Sequence, residues 1–136
     1  MDKSSFLADI GKIVAEMKEV DVAYIFGSFL DSDEFNDIDV ALLLSEEPGL
    51  DPYKSLKFSL KVAGELERQI KPKFEFDVRI LNVAPVDFQF EVIRKGCVVF
   101  YSDESRKINY ESEVISTYLD LKYMYDLFDK EFLARA

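Results

Sequence analysis

The stretch YIFGSFLDSDEFNDIDVALLL, residues 24–44, decides how the rest of the chain is read. Tyr24, Ile25 and Phe26 close a run from Val20 that is dense in β-branched and aromatic residues. That run reads as a buried strand stopped by Gly27. Asp37 to Leu44 reads as a second strand. Residues two apart in a strand share a face, with Cα atoms roughly 6.5–7 Å apart. Asp37 and Asp39 therefore project together, while Ile38, Val40 and Leu42 face a core. Two carboxylates held that close repel each other and resist double ionisation unless a cation sits between them. Mg²⁺ is the natural occupant, because it prefers oxygen ligands and is commonly held by one or two carboxylates plus phosphates. Gly27-Ser28 is the complementary half. A glycine lets a phosphate approach the backbone, and a helix starting at Ser28 points free N–H groups at an anion.

Working outward, Phe6, Ile10, Ile13 and Met17 step by four, three and four, which predicts a helix over Ser4 to Val20. Ser45-Glu-Glu-Pro-Gly reads as a turn. Asp51-Pro52 reads as an N-cap with proline at the first helical position, followed by an apolar stripe of Tyr53, Leu56, Leu60, Ala63, Leu66 and Ile70. Phe74 to Asn82 alternates as a third strand, with Phe74, Phe76, Val78 and Ile80 on one face and Glu75, Asp77 and Arg79 on the other. Asp77 is thus a candidate third carboxylate. Three carboxylates bring about −3, which a pair of metal ions would offset while binding a triphosphate; two ions roughly 3.5–4 Å apart can clamp both oxygens of an in-line phosphoryl displacement. A short helix over Val86 to Lys95 is expected to close with Gly96 at its C′ position. Cys97 to Tyr101 reads as a fourth strand. A long helix over about 102–134 carries Val114, Tyr118, Leu121, Tyr125, Phe128 and Phe132 at heptad-like spacing.

The element order is α-β-β-α-β-α-β-α. The link between the first two strands is too short for an ordinary crossover helix, so the sheet is expected to be mixed. The expected fold class is α/β (α+β), a small mixed sheet of about four strands flanked by helices. With 136 residues and no linker, repeat or low-complexity tract, residues 1–136 read as a single domain.

Composition narrows the chemistry. The chain has no histidine. This removes Ser-His-Asp and Cys-His catalysis and HExxH zinc chemistry. The net charge is −10, which disfavours a nucleic-acid substrate gripped through its phosphates and favours cations or a basic partner protein. Cys97 is the single cysteine, compatible with a reducing compartment and expected to be a small core residue. The start, MDKSSFLADIGK, has no apolar leader core, and no uncharged run approaches the ~18 residues of a membrane span. A soluble, cytoplasmic protein is expected.

Several features carry blander readings. Asp31-Ser-Asp33 repeats the D-x-D pattern by accident in an acid-rich chain. Lys54, Lys57 and Lys61 read as a solvated helix face. Gly11-Lys12 lacks the upstream glycine and following Ser/Thr of a Walker A loop. The aromatic stripe of the last helix is expected to pack on the protein's own sheet. Tyr110, Tyr123 and Met124 lie off that stripe and are interface candidates if exposed.

Taken together, IFGSF…NDIDVALLL, FEFDVRILNVAP and EVIRKGCVVFYSDE, with a closing helix containing Tyr118-Leu-Asp-Leu-Lys122, resemble the polymerase-β-like nucleotidyltransferases. The likeness is strongest to the minimal nucleotidyltransferase (MNT) antitoxins of HEPN/MNT toxin–antitoxin pairs. The resemblance implies an antitoxin that transfers AMP from ATP to a tyrosine of a HEPN RNase toxin, silencing it, in a hetero-oligomer with that toxin. It implies Asp37, Asp39 and Asp77 as catalytic and metal residues for Mg²⁺, with Asp77 joining the metals or serving as general base. It implies Gly27 and Ser28 as nucleotide-binding residues. The spacing here is G-S-x8-D-x-D, shorter than the family's usual ten, and the family's second glycine is absent. Asn36 stands where Ser or Thr is common. A non-catalytic antitoxin of the same fold and a small-molecule, antibiotic-type transferase are the alternatives.

Overall fold

The computed structural model describes residues 2–45, 51–71 and 73–135, with side chains through 131. Its elements are α1 (Lys3–Ala15), β1 (Val20–Phe26), α2 (Ser28–Asp31), β2 (Asp37–Leu44), α3 (Pro52–Gln69), β3 (Glu75–Ile80), a 3₁₀ turn (Leu81–Val83), α4 (Val86–Lys95), β4 (Cys97–Tyr101) and α5 (Glu104–Arg135). The expected turn after Ser45 falls on residues outside those described, as does the side chain of Phe132.

The four described strands form one sheet in the order β3-β2-β1-β4. β1 runs antiparallel to β2 and β4, while β2 and β3 are parallel. The sheet is therefore mixed, as the short β1–β2 link requires. Asp2 caps α1 by accepting the Ser4 amide at 3.1 Å, and Asp51 caps α3 through the Tyr53 amide at 2.9 Å. Each satisfies N–H groups that a helix start leaves open. Asn82 fastens the far end of β2: its amide accepts from the Leu44 N–H and donates to the Leu44 carbonyl, both at 2.8 Å.

Strand alternation divides the core into two layers. On one face Ile25, Ile38, Val40, Leu42, Phe76 and Val78 bury against Phe6, Ile10 and Val14 of α1 and Val62 and Leu66 of α3. On the other, Val22, Tyr24, Ala41 and Leu43 meet Val92 of α4 and Tyr110 and Val114 of α5. The β1 register shifts between Val20 and Val22, which returns Val20 to the first layer beside Ala23 and Ile25. Polar contacts lock α5 down over its first turns. Arg106 Nε pairs with Asp21 at 3.0 Å, and Tyr24 donates its hydroxyl to Glu111 at 3.0 Å. Tyr110 donates to Gln89 at 2.7 Å. Burial and the Glu111 charge push the Tyr24 phenol far up, so it stays a neutral donor.

Five expectations need correction. α3 turns a different face inward: Ser55, Ser59, Val62 and Leu66 are buried, while Tyr53, Leu56 and Leu60 are exposed. Small side chains at Ser55 and Ser59 let the helix lie close to β3, and the bulky stripe cannot. Gly96 ends α4 in an extended conformation rather than a left-handed one. Its need for glycine is spatial, since an added Cβ would press on the carbonyl oxygens of Val92 and Ile25. Cys97 is a half-buried free thiol rather than a core residue, and Tyr110 is buried, so the exposure that would make it an interface candidate is missing. The aromatic stripe of α5 packs only in its first half. Val114 is buried and Tyr118 stacks on Phe90 at 3.9 Å, but Tyr125 and Phe128 are each 67% exposed. Tyr123 and Met124 are exposed.

Two helix glycines test this packing with opposite signs. A Cβ at Gly11 would collide with the Val99 carbonyl oxygen of β4, whereas Gly64 has nothing within 4 Å. Gly64→Ala should stabilise the protein by about 0.5–1 kcal/mol through helix propensity. Gly11→Ala should lose about 1–3 kcal/mol through overpacking. Denaturant unfolding of the two variants measures both, and a stabilising Gly11→Ala would contradict the α1–β4 contact.

Candidate functional site

The site grows from one register. Asp37 pairs with Glu75, Asp39 with Asp77 and Ala41 with Arg79 across the parallel β2–β3 ladder. The alternation that sends Ile38, Val40, Phe76 and Val78 into the α1/α3 layer sends Asp37, Asp39 and Asp77 to the opposite face. One carboxylate oxygen from each of these three lies within 4.8 Å of the others. All three side chains are half-buried. On the other flank of β2, Phe26 pairs with Asp39, so the chain leaves β1 directly beside the carboxylates.

Gly27 follows, at φ 83°, in a conformation that L side chains seldom adopt. A Cβ there would also run into Oδ2 of Asp39. Glycine is thus required twice, by the backbone and by the carboxylate that occupies the vacated volume. Ser28, exposed, opens the single turn of α2. An open depression of about 510 Å³ adjoins it, lined by Ser28, Asp33, Glu34, Phe35, Asn36 and Asp37. Lys3 of α1 ties down the connecting loop by donating to the carbonyls of Phe29 at 2.7 Å and Ser32 at 2.9 Å. Asp31 and Asp33, the second D-x-D, stay outside the carboxylate cluster.

The electrostatics follow from this crowding. Burial raises the Asp39 carboxyl above its ordinary 3.8, the negative charges of Asp37 and Asp77 raise it further, and Arg79 opposes them. Arg79 is the residue that sequence reasoning left without a role. It sits two residues after Asp77 on the same strand face, with its guanidinium 3.5 Å from Oδ2 of Asp77 and 5.3 Å from the centre of the Phe88 ring. Its strand parity was visible in the sequence; the aromatic support was not, because Phe88 arrives on α4. Phe88 also packs edge-on to Phe26, at 5.5 Å between ring centres. The carboxylates therefore lie beside an aromatic shelf that carries one cation.

Three oxygen donors from two strands make a hard-cation donor set, with a charge of about −3 that a bound divalent ion would reduce. Lys54, Lys57 and Lys61 are exposed on α3, which covers the other face of the sheet. Among the described residues no helix is long and apolar enough to cross a membrane.

The fold is that of a nucleotide-transferring class of domain. The family described as Polymerase beta, Nucleotidyltransferase matches residues 8–105. The chain belongs to this nucleotidyltransferase family. Among solved structures, a toxin–antitoxin with AMP-PNP is similar at 20% identity and TM-score 0.68, covering 93% of this chain and 98% of that one. A tri-AMPylated Shewanella oneidensis HEPN toxin in complex with MNT antitoxin is similar at 19% identity and TM-score 0.65, over 95% of this chain and 98% of that one. The MntA–HepT toxin–antitoxin is similar at 18% identity and TM-score 0.65, with the same coverages. These likenesses are of fold. No curated protein matches the sequence.

Two measurements probe the cluster. Because the Asp39 carboxyl is raised in the folded state, its repulsion destabilises the metal-free protein above that pKa and is relieved as pH falls through it. Asp39→Asn should therefore raise the metal-free Tm at neutral pH, with the gain shrinking towards pH 4. Mg²⁺ at about ten times its dissociation constant should stabilise the wild type by about 1.4 kcal/mol and leave Asp39→Asn unmoved. Separately, Arg79→Gln removes the opposing cation and should move the Asp39 titration, followed by carboxyl NMR, further upward. A downward movement would show that Arg79 does not act on this carboxylate.

Proposed function

We propose that the chain is an antitoxin nucleotidyltransferase that transfers AMP from ATP to a tyrosine hydroxyl of a HEPN-type RNase toxin. The observation that carries the reading is the convergence of Asp37, Asp39 and Asp77 beside Gly27-Ser28 in a chain of the polymerase-β nucleotidyltransferase family. The similar solved structures, toxin–antitoxin complexes among them, support the choice of partner. Residues 1–136 act as one minimal domain in this reading. The reaction is placed in the cytoplasm, where ATP is supplied and a lone Cys97 stays reduced.

The donor set fits Mg²⁺, with Asp37 and Asp39 as its ligands and Asp77 as a further ligand or the general base. When bound, the metal would neutralise phosphate charge and orient the triphosphate. The remaining work falls to the protein. Gly27 turns the backbone at φ 83° beside Asp39, and Ser28 offers its amide and hydroxyl to the β- and γ-phosphates. Asp39, wedged against Gly27, would hold the metal through its carboxylate on the glycine side of the cluster. Asp77 takes the proton as the acceptor oxygen attacks the α-phosphorus. A new O–P bond forms, the bond to the bridging oxygen breaks, and pyrophosphate leaves. Arg79, 3.5 Å from Oδ2 of Asp77, keeps positive charge beside the carboxylates.

A second reading is favoured by one observation. The depression beside Ser28 is lined by Asp33 and Glu34 as well as Asp37, and α2 is only four residues long. Carboxylates facing the triphosphate would oppose it, which suits an antitoxin that neutralises by binding alone.

Incubation with α-labelled ATP, Mg²⁺ and the HEPN-type protein of the neighbouring reading frame separates the two. The expected result is label on the toxin, reduced at least about 100-fold by Asp39→Ala. Full neutralisation by Asp37→Ala/Asp39→Ala with no label from the wild type would leave the binding-only antitoxin.

A further inference from the structure

Besides its packed stripe, α5 carries a second apolar stripe on its outer side. Ile115, Leu119, Tyr123 and Leu127 step by four, and Tyr123 lies half a turn round from buried Val114. Leu119 is 53% and Tyr123 66% exposed. The stripe runs about 18 Å along the helix. In the overhanging half the inner residues Tyr125 and Phe128 are exposed too, so the helix is apolar on both sides there. A helix with apolar stripes on two sides, only one of them packed, leaves the other for a partner. The polar anchors of α5, from Arg106 to Glu111, and the Phe90–Tyr118 stack hold the first half on the domain and present the second half to solvent.

The charges around the stripe choose the occupant. Between 112 and 131 the helix carries five carboxylates and two lysines. Asp120 and Asp126 stand three residues either side of Tyr123, one on each flank of the stripe. A second copy pairing about a two-fold at Tyr123 would set these aspartates against their own counterparts, on bodies of net charge −10 each. A partner with an apolar helical surface and a basic rim meets both demands, burying the aromatic anchors and neutralising the flanks.

We infer that the outer face of α5, centred on Leu119 and Tyr123, is the docking surface for a basic helical partner protein. The inference rests on the reading above, which names that partner as the HEPN-type toxin. Calorimetric titration of the intact chain with the HEPN-type protein of the neighbouring reading frame tests it. The Leu119→Ala/Tyr123→Ala variant should bind at least about 100-fold more weakly. Asp120→Lys/Asp126→Lys should bind about 10-fold more weakly and lose most of its salt dependence. Tyr53→Ala/Leu56→Ala, on the exposed face of α3, is the control and should bind as the wild type does. All these side chains are exposed, so circular dichroism and Tm should be unchanged; Tyr125→Ala/Phe128→Ala, on the overhang, is a further variant expected to weaken binding. Wild-type affinity in the α5 variants would overturn the surface and leave the antitoxin reading intact. A wild-type chain that does not bind the toxin would overturn both. A concentration-dependent dimer of the chain alone, broken by Leu119→Ala/Tyr123→Ala in sedimentation, would assign the face to a second copy instead.

Discussion

Everything at the site depends on three like charges being held within a few ångströms of one another. Nothing in their own interaction favours that arrangement. The hydrogen-bonded ladder between β2 and β3 imposes it, by setting Asp39 opposite Asp77. The apolar residues between the aspartates fix the ladder in turn. A slip of one residue would drive Asp37 and Asp39 into the α1/α3 core and expose Ile38 and Val40, a loss no sheet contact could offset. The core thus specifies the position of the carboxylates, and their repulsion is a local cost that the packed face carries. Gly27 is the other condition. Its missing side chain is the space into which the Asp39 carboxylate projects.

This explains which parts of the molecule could be read from the sequence. β1 and β2 carry their meaning in a period of two, and the structure keeps their bounds at Val20–Phe26 and Asp37–Leu44. The face shared by Asp37 and Asp39 follows from parity alone. The partnership with Asp77 needs the additional fact that β3 pairs with β2 in parallel, which no local pattern encodes. Arg79 was legible as a neighbour of Asp77 but not as a cation resting on an aromatic ring, because Phe88 comes from another element.

The two misread helices differ in cause. α3 has two stripes that meet at Leu66, one bulky and one small, and hydrophobicity alone selects the bulky one. The sheet selects the small one, since Ser55 and Ser59 allow a closer approach to β3. Tyr110 reads as an interface candidate if exposed, yet it packs in the second core layer beside Val92 and Val114 and donates its hydroxyl to Gln89 of α4. For α3 the deciding contact lies on a different element; for Tyr110 the period was present, since it stands four residues before buried Val114 on the same helix face.

The distribution of polar anchors gives α5 two mechanical halves. Asp21 and Tyr24 of β1 hold its first turns through Arg106 and Glu111, and Lys107 holds Glu111 from the same helix at 2.9 Å. Tyr24 lies two residues before Phe26, which flanks Asp39. One strand therefore supports both the carboxylate cluster and the base of the projecting helix. A protein bound along the outer half of α5 would be fixed in orientation relative to the cluster by β1 rather than by a flexible linker. For a transferase whose acceptor belongs to its binding partner, that rigidity matters more than affinity. An acceptor hydroxyl must arrive in line with the scissile bond, and a misplacement of about 1 Å can cost about 100-fold in rate. The long helix, rooted in the strand that frames the site, can supply such alignment.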